Sequence, residues 1–173
     1  MTPEQQTVIL NVARRAVQDE VRGEGSAGSP PDVDLPTEFG GAFVTLKLRR
    51  RLRGCMGTFR PLGNLSQTID RVARMSAGED PRFAKQRIGP DDLDEIEIEV
   101  SILSPPERTD RPADLTVGRH GILIRRGAAS GCFLPQVATE RGWSAEEFLS
   151  QCCRTKAGLK GDAWKQPDTE VLL

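Results

Sequence analysis

A chain of 173 residues with 37% hydrophobic and 28% charged residues is long enough for one sizeable core and has the mix of a soluble globular protein. Its formal net charge of −1 excludes the strong basic field carried by a general nucleic-acid coat or an anionic-membrane binder. No apolar run approaches the roughly 20 residues of a membrane-spanning helix, and Met1-Thr2-Pro3-Glu4-Gln5 lacks the charged and then apolar stretch of a signal peptide.

Thr2 reads as the N-cap of a first helix, with Pro3 at the first helical position and Glu4 complementing the dipole. Val8, Ile9, Val12, Ala13, Ala16 and Val17 recur at helical spacing, and Gly23 ends the run. Gly23 to Pro36, with Gly25-Ser26-Ala27-Gly28 inside it, reads as a flexible loop. From Gly41 the pattern becomes strand-like: Phe43 to Leu48 is one run and Leu52 to Phe59 the next. Arg49, Arg50 and Arg51 lie between them, which predicts a hairpin with a basic tip.

Asn64 or Ser66 caps a second helix carrying Leu65, Ile69, Val72 and Ala73. Asp94 to Leu103 alternates, with Ile96, Ile98, Val100 and Ile102 on one face and Glu97, Glu99 and Ser101 on the other, as a half-buried strand does. Shorter strands are predicted at Gly121 to Arg126 and Cys132 to Leu134. A capping box at Ser144 and Glu147 opens a helix to about Thr155, Gly158 suits its left-handed end, and Thr169 to Leu173 reads as a last strand. No internal repeat is evident. The order is not a regular βαβ alternation, so the expected class is α+β with a mainly antiparallel sheet and flanking helices. The close at Val171-Leu172-Leu173, without a polar tail, is what a chain continuing a few residues further would show.

Chemistry concentrates in Leu52-Arg53-Gly54-Cys55-Met56-Gly57-Thr58, where two glycines bracket a cysteine inside a strand. Glycine there marks a bulge or a close approach of ligand or backbone. In a regular strand Arg53 shares the face of Cys55, and a cation so placed favours the reactive thiolate. The alternative is a small buried cysteine with glycines that permit tight packing. His120 is the one histidine and the first candidate for acid–base work, with Glu99 the second. Sequence leaves open whether Cys55 and His120 meet. Asp80-Pro81-Arg82-Phe83 reads as a turn held by a local ion pair or as a clamp for a carboxylate or phosphate. The basic tip Lys47 to Arg53 has no interleaved aromatics, so nucleic-acid binding ranks low. Cys55, Cys132, Cys152 and Cys153 show no C-x-x-C spacing, and with a lone histidine they match no metal-ligand rule. Reduced thiols in the cytoplasm are expected. No cofactor is assigned.

Five segments in one order carry a resemblance: Gly41-Ala42-Phe43-Val44-Thr45-Leu46, Leu52 to Thr58, Asp80 to Phe83, Leu134-Pro135-Gln136-Val137-Ala138 and Lys156-Ala157-Gly158-Leu159. With them the chain resembles the AMME chromosomal region candidate-gene (AMMECR) domain family, whose bacterial and archaeal members are called AmmeMemoRadiSam system protein A. Met56 stands where that family more often has isoleucine. The resemblance implies one α+β domain over 1–173, with a large and a small lobe packed together and the Leu52–Thr58 segment near their junction. It also implies the company of a Memo-type protein resembling extradiol dioxygenases and of a radical SAM protein.

Two functions follow as expectations. The first is an accessory or binding domain with a ligand or partner site at Arg53, Gly54, Gly57, Thr58 and Arg82. The second is an enzyme using Cys55 as a thiolate nucleophile, assisted by Arg53 and by His120 or Glu99. Nucleic-acid binding follows well behind.

Overall fold

In the computed structural model, which describes residues 1–24 and 34–173, the N-terminal helix α1 (Pro3–Arg22) is fixed at both ends by its own sequence. Thr2 and Gln5 form a reciprocal capping box, and Gly23 takes the left-handed conformation at φ 70°. Ile9, Val12, Ala13, Ala16 and Val17 are buried along one stripe. The Gly25-Ser26-Ala27-Gly28 part of the expected loop lies outside the described residues.

β1 (Gly41–Leu48) and β2 (Arg51–Thr58) form an antiparallel hairpin, and β3 (Ile96–Leu103) pairs with β1 on the other side, giving the order β2-β1-β3. α2 (Leu65–Arg74) starts at a capping box between Asn64 and Gln67 and runs on into a π-helical turn, Met75–Glu79. Ala42, Val44, Leu46 and Leu48 point into a core shared with the apolar stripes of α1 and α2. Arg74 joins α2 to α1 by an ion pair to Asp19 at 3.0 Å and pairs within its own helix with Asp70 at 3.1 Å. The strand expected from Asp94 begins at Ile96, because Pro90–Glu95 is a 3-10 segment, and Ile96 to Leu103 alternates as its sequence requires.

These elements form one compact unit, 1–105, and residues 106–173 form another. In the second unit β4 (Ile122–Arg126) and β5 (Ala129–Phe133) make a hairpin, and β6 (Glu170–Leu172) pairs with β4 in the order β5-β4-β6. Between β5 and β6 lie α3 (Pro135–Arg141) and α4 (Ala145–Thr155). The sequence reading lacks α3, which is short and begins at a proline. α4 has the expected Ser144–Glu147 box and buries Phe148, Leu149, Cys152 and Cys153 against Ile124, Trp164 and Val171. The fold is α+β, and its antiparallel strands divide between two three-stranded sheets rather than one. No helix among the described residues is long and apolar enough to cross a membrane.

Candidate functional site

The register of the first sheet lays out the site. Thr45 stands opposite Cys55 on one side and Glu99 on the other, so Cys55, Thr45 and Glu99 form a row across three strands. Their neighbours Leu46, Gly54 and Ile98 form the adjacent row, in which buried Leu46 faces the core. By strand alternation the Cys55 row lies on the opposite face. There Thr45 Oγ1 donates to Cys55 Sγ at 3.3 Å, and Lys47 pairs with Glu99 at 3.3 Å.

Asp80 and Arg82 hold the outer edge of β2 at this one residue. Asp80 Oδ2 accepts the Cys55 N–H at 2.9 Å, and Arg82 Nη2 donates to the Cys55 carbonyl at 2.8 Å. Arg82 also binds Asp80 in fork fashion, Nε to Oδ1 at 3.0 Å and Nη2 to Oδ2 at 2.7 Å. The Asp80 side chain is 2% exposed and that of Arg82 53%, so a buried carboxylate anchors a guanidinium that reaches solvent. Burial pushes the Asp80 carboxyl up, but hydrogen bonds from the Arg82 side chain, the Cys55 N–H and the Arg82 N–H, with the charge of Arg82, outweigh it and hold the group below its usual value. The Arg82 guanidinium is raised in turn, by its hydrogen bonds to Asp80 first and with Cys55 contributing.

Glycines make this clamp possible. A Cβ at Gly54 would land on the Ser76 carbonyl of the π-helical turn, and one at Gly57 would enter the Phe43 ring. Ser76 is buried, and its hydroxyl accepts from Met56 N at 3.0 Å. It also lies 2.8 Å from both the Val44 and Val72 carbonyls, donating to one at a time. Phe43 packs edge-on against Phe59 with centroids 5.0 Å apart.

The expected residues are placed as follows. Arg53 sits where the register between β1 and β2 slips, a bulge that breaks the regular alternation with Cys55, and its Nη1 donates to Leu52 O at 3.2 Å. The cation bonded to Cys55, through its carbonyl, is Arg82. Thr58 closes the strand, its hydroxyl accepting from Arg60 N and donating to Arg60 O. Glu99 shares the cysteine's row. His120 belongs to the second unit, where its half-buried ring accepts the Thr116 N–H on Nδ1 at 3.1 Å, so its neutral form carries the proton on Nε2. Cys55 belongs to the first unit. Cys152 and Cys153 are buried thiols, both pushed up chiefly by burial. No group of three or more potential metal ligands occurs among the described residues.

The sequence reading passed over Thr45 and took Asp80 as part of an ion-paired turn or of a carboxylate or phosphate clamp, without linking it to Cys55. The signal for Thr45 was available in the hairpin register, which places it across from Cys55. Nothing local to Asp80 announces a contact with Cys55, 25 residues earlier.

The model of one protein family, AMMECR1, matches residues 10–173. The chain belongs to the AMMECR1 family. A protein of Methanothermobacter thermautotrophicus is 41% identical over 170 residues, covering 94% of this chain and 87% of its own length. One of Thermococcus kodakarensis is 43% identical over 176 residues, covering 94% and 83%. The crystal structure of a Pyrococcus horikoshii protein superposes with a TM-score of 0.86 at 36% identity, over 99% of this chain and 89% of that one. The family match takes in β2 with its Gly-Cys step, Asp80 and Arg82.

Proposed function

We propose that the chain is an accessory binding domain whose working surface is the Cys55–Thr45–Glu99 row and the β2 edge beside it. The observation that carries this reading is the clamp. A buried carboxylate, an arginine and a buried serine fix a single thiol-bearing stretch of edge strand, while the side chains of its row face away from the core. Such rigidity presents a surface of fixed shape and lowers the entropy lost on binding. The row holds a thiol, a hydroxyl and a carboxylate, and His120 lies in the other unit. The partners of this reading are those of the AmmeMemoRadiSam system: a Memo-type dioxygenase-like protein and a radical SAM protein, with a small molecule as a further ligand.

The test is co-purification of the full chain with each partner from the same genome, repeated with Glu99→Lys. Capture that is lost in Glu99→Lys, with unchanged circular dichroism and melting, supports the reading. A folded chain that captures neither partner overturns it.

One observation favours a second reading, in which Cys55 is a nucleophile. Thr45 donates a hydrogen bond to its sulfur, an arrangement that stabilises developing thiolate. Here Thr45→Val is expected to slow Cys55 alkylation severalfold with little change in stability. An unchanged rate removes the hydroxyl from the chemistry.

A further inference from the structure

Charge is unevenly distributed about the first sheet. On the β1–β3 side cations and anions are matched: Lys47 pairs with Glu99 at 3.3 Å and Arg49 with Glu95 at 2.7 Å. On the β2 side they are not. Arg51 and Arg53 lie on the edge strand itself, and Lys85 and Arg87 come three and five residues after Arg82, whose side chain is bonded to Cys55. Among the described residues none of Arg51, Arg53, Lys85 and Arg87 makes an ion pair, and all but the half-buried Arg53 are exposed. Arg82 has spent Nε and Nη2 on Asp80 and Cys55, and its Nη1 makes no hydrogen bond among the described residues. The chain as a whole carries a formal charge of −1, so this cationic strip is a local feature and not the spill of a basic protein.

From this we infer that the β2 edge docks an acidic segment of a partner protein, with carboxylates meeting Arg53, Arg82, Lys85 and Arg87. The inference rests on the accessory-domain reading and names the chemistry of its partner. Pairing by added strand is closed at Cys55, because its N–H and carbonyl already serve Asp80 and Arg82. Recognition there therefore runs through side-chain charge, which sets encounter rate and register. A nucleic-acid duplex fits less well: the net charge of the chain is −1 and no aromatic residue is interleaved between Lys47 and Arg53, so the cations are local and lack the stacking partners a nucleic acid uses.

The probe is a fluorescein-labelled oligo-glutamate peptide, titrated with the full chain by anisotropy at low and at physiological salt. Binding at low salt that weakens steeply with salt is expected. Lys85→Glu combined with Arg87→Glu is expected to weaken it by about tenfold or more, and Arg49→Glu, at a cation already paired, by less than about threefold. No binding at low salt overturns the inference. So does equal loss in the two charge-reversal variants, which would mean diffuse attraction, or tighter binding of a DNA oligonucleotide of the same length. Partner capture that is insensitive to salt and to Lys85→Glu/Arg87→Glu would overturn the acidic-segment inference and leave the accessory-domain reading standing. Absence of any partner capture would overturn that reading itself.

Discussion

The two units repeat one arrangement with opposite contents. Each has a two-residue hairpin whose second strand lies at the sheet edge, and each adds a third strand beside the first, β2-β1-β3 and β5-β4-β6. Each edge strand carries a Gly-Cys step, Gly54-Cys55 and Gly131-Cys132. Gly54 faces Leu46 and Gly131 faces Ile124, and in both units a Cβ on the glycine would strike backbone just past a helix, at Ser76 after α2 and at Ala157 after α4. The cysteine rows then diverge. Cys55 lies with Thr45 and Glu99, whereas Cys132 lies with Leu123 and Leu172, both buried. The shared features are what it takes to build such a sheet. The polar row and the Asp80–Arg82 clamp, which the second unit lacks, are what the proposed reading assigns to function.

The largest effect tests the shared part. Gly54→Ala and Gly131→Ala should each destabilise their unit by about 3 kcal/mol or more, since the added methyl meets backbone that cannot move aside. Chemical denaturation of both variants checks this, and a cost in only one would break the parallel. Next comes the clamp. Asp80→Asn should cost about 2 kcal/mol near neutral pH by weakening the charge-assisted bonds to Arg82 and Cys55 N. Because the folded carboxyl titrates below the ordinary aspartate value of 3.8, its contribution is present above that value and is lost as pH falls through the lower folded one. The gap between wild type and Asp80→Asn should therefore close in strong acid.

Smaller changes sharpen the contrast. Thr169 in the second unit is buried, and its Oγ1 has no hydrogen-bond partner among the described residues, whereas the buried Asp80 and Ser76 of the first unit are bonded. Thr169→Val should raise stability by up to about 1 kcal/mol, measured as a shift in denaturation midpoint. The smallest effect concerns the hairpin tips. The first turn places Arg49 and Arg50 at φ 49° and 65°, while the second uses Gly127 at φ 57°. Arg50→Gly should stabilise the first unit by about 0.5–1 kcal/mol, and no gain would mean that the Arg50 side chain contributes as much as the strain removes.

Much of this was legible along the chain. The caps at Thr2, Ser144 and Gly23, the alternation of β3 and the basic hairpin tip are local signals, and the structure has them. α3 escaped because seven residues starting at a proline carry too little periodicity. The π-helical turn escaped because the contacts it makes are tertiary: Ser76 accepts from Met56 N and its carbonyl lies where a Cβ on Gly54 would fall. The same limit governed the site. Cys55 stood out from its flanking glycines, but the choice between Arg53 and Arg82 turned on a bulge and on a hydrogen bond between residues 27 apart. The likeness of the two hairpins also hides from a search for repeats, since a register and a strand order are conserved in it more than residues are.

The most direct test of the central claim, that the Cys55 row is the working surface and the Cys132 row is scaffold, is residue-resolved alkylation of the folded chain. Thiol modification is followed against time and pH and assigned by peptide mass spectrometry. Cys55 is expected to react first, Cys132 more slowly, and the buried Cys152 and Cys153 only as the chain unfolds. A Cys55 that is protected until unfolding, or that reacts no faster than Cys132, would contradict the account.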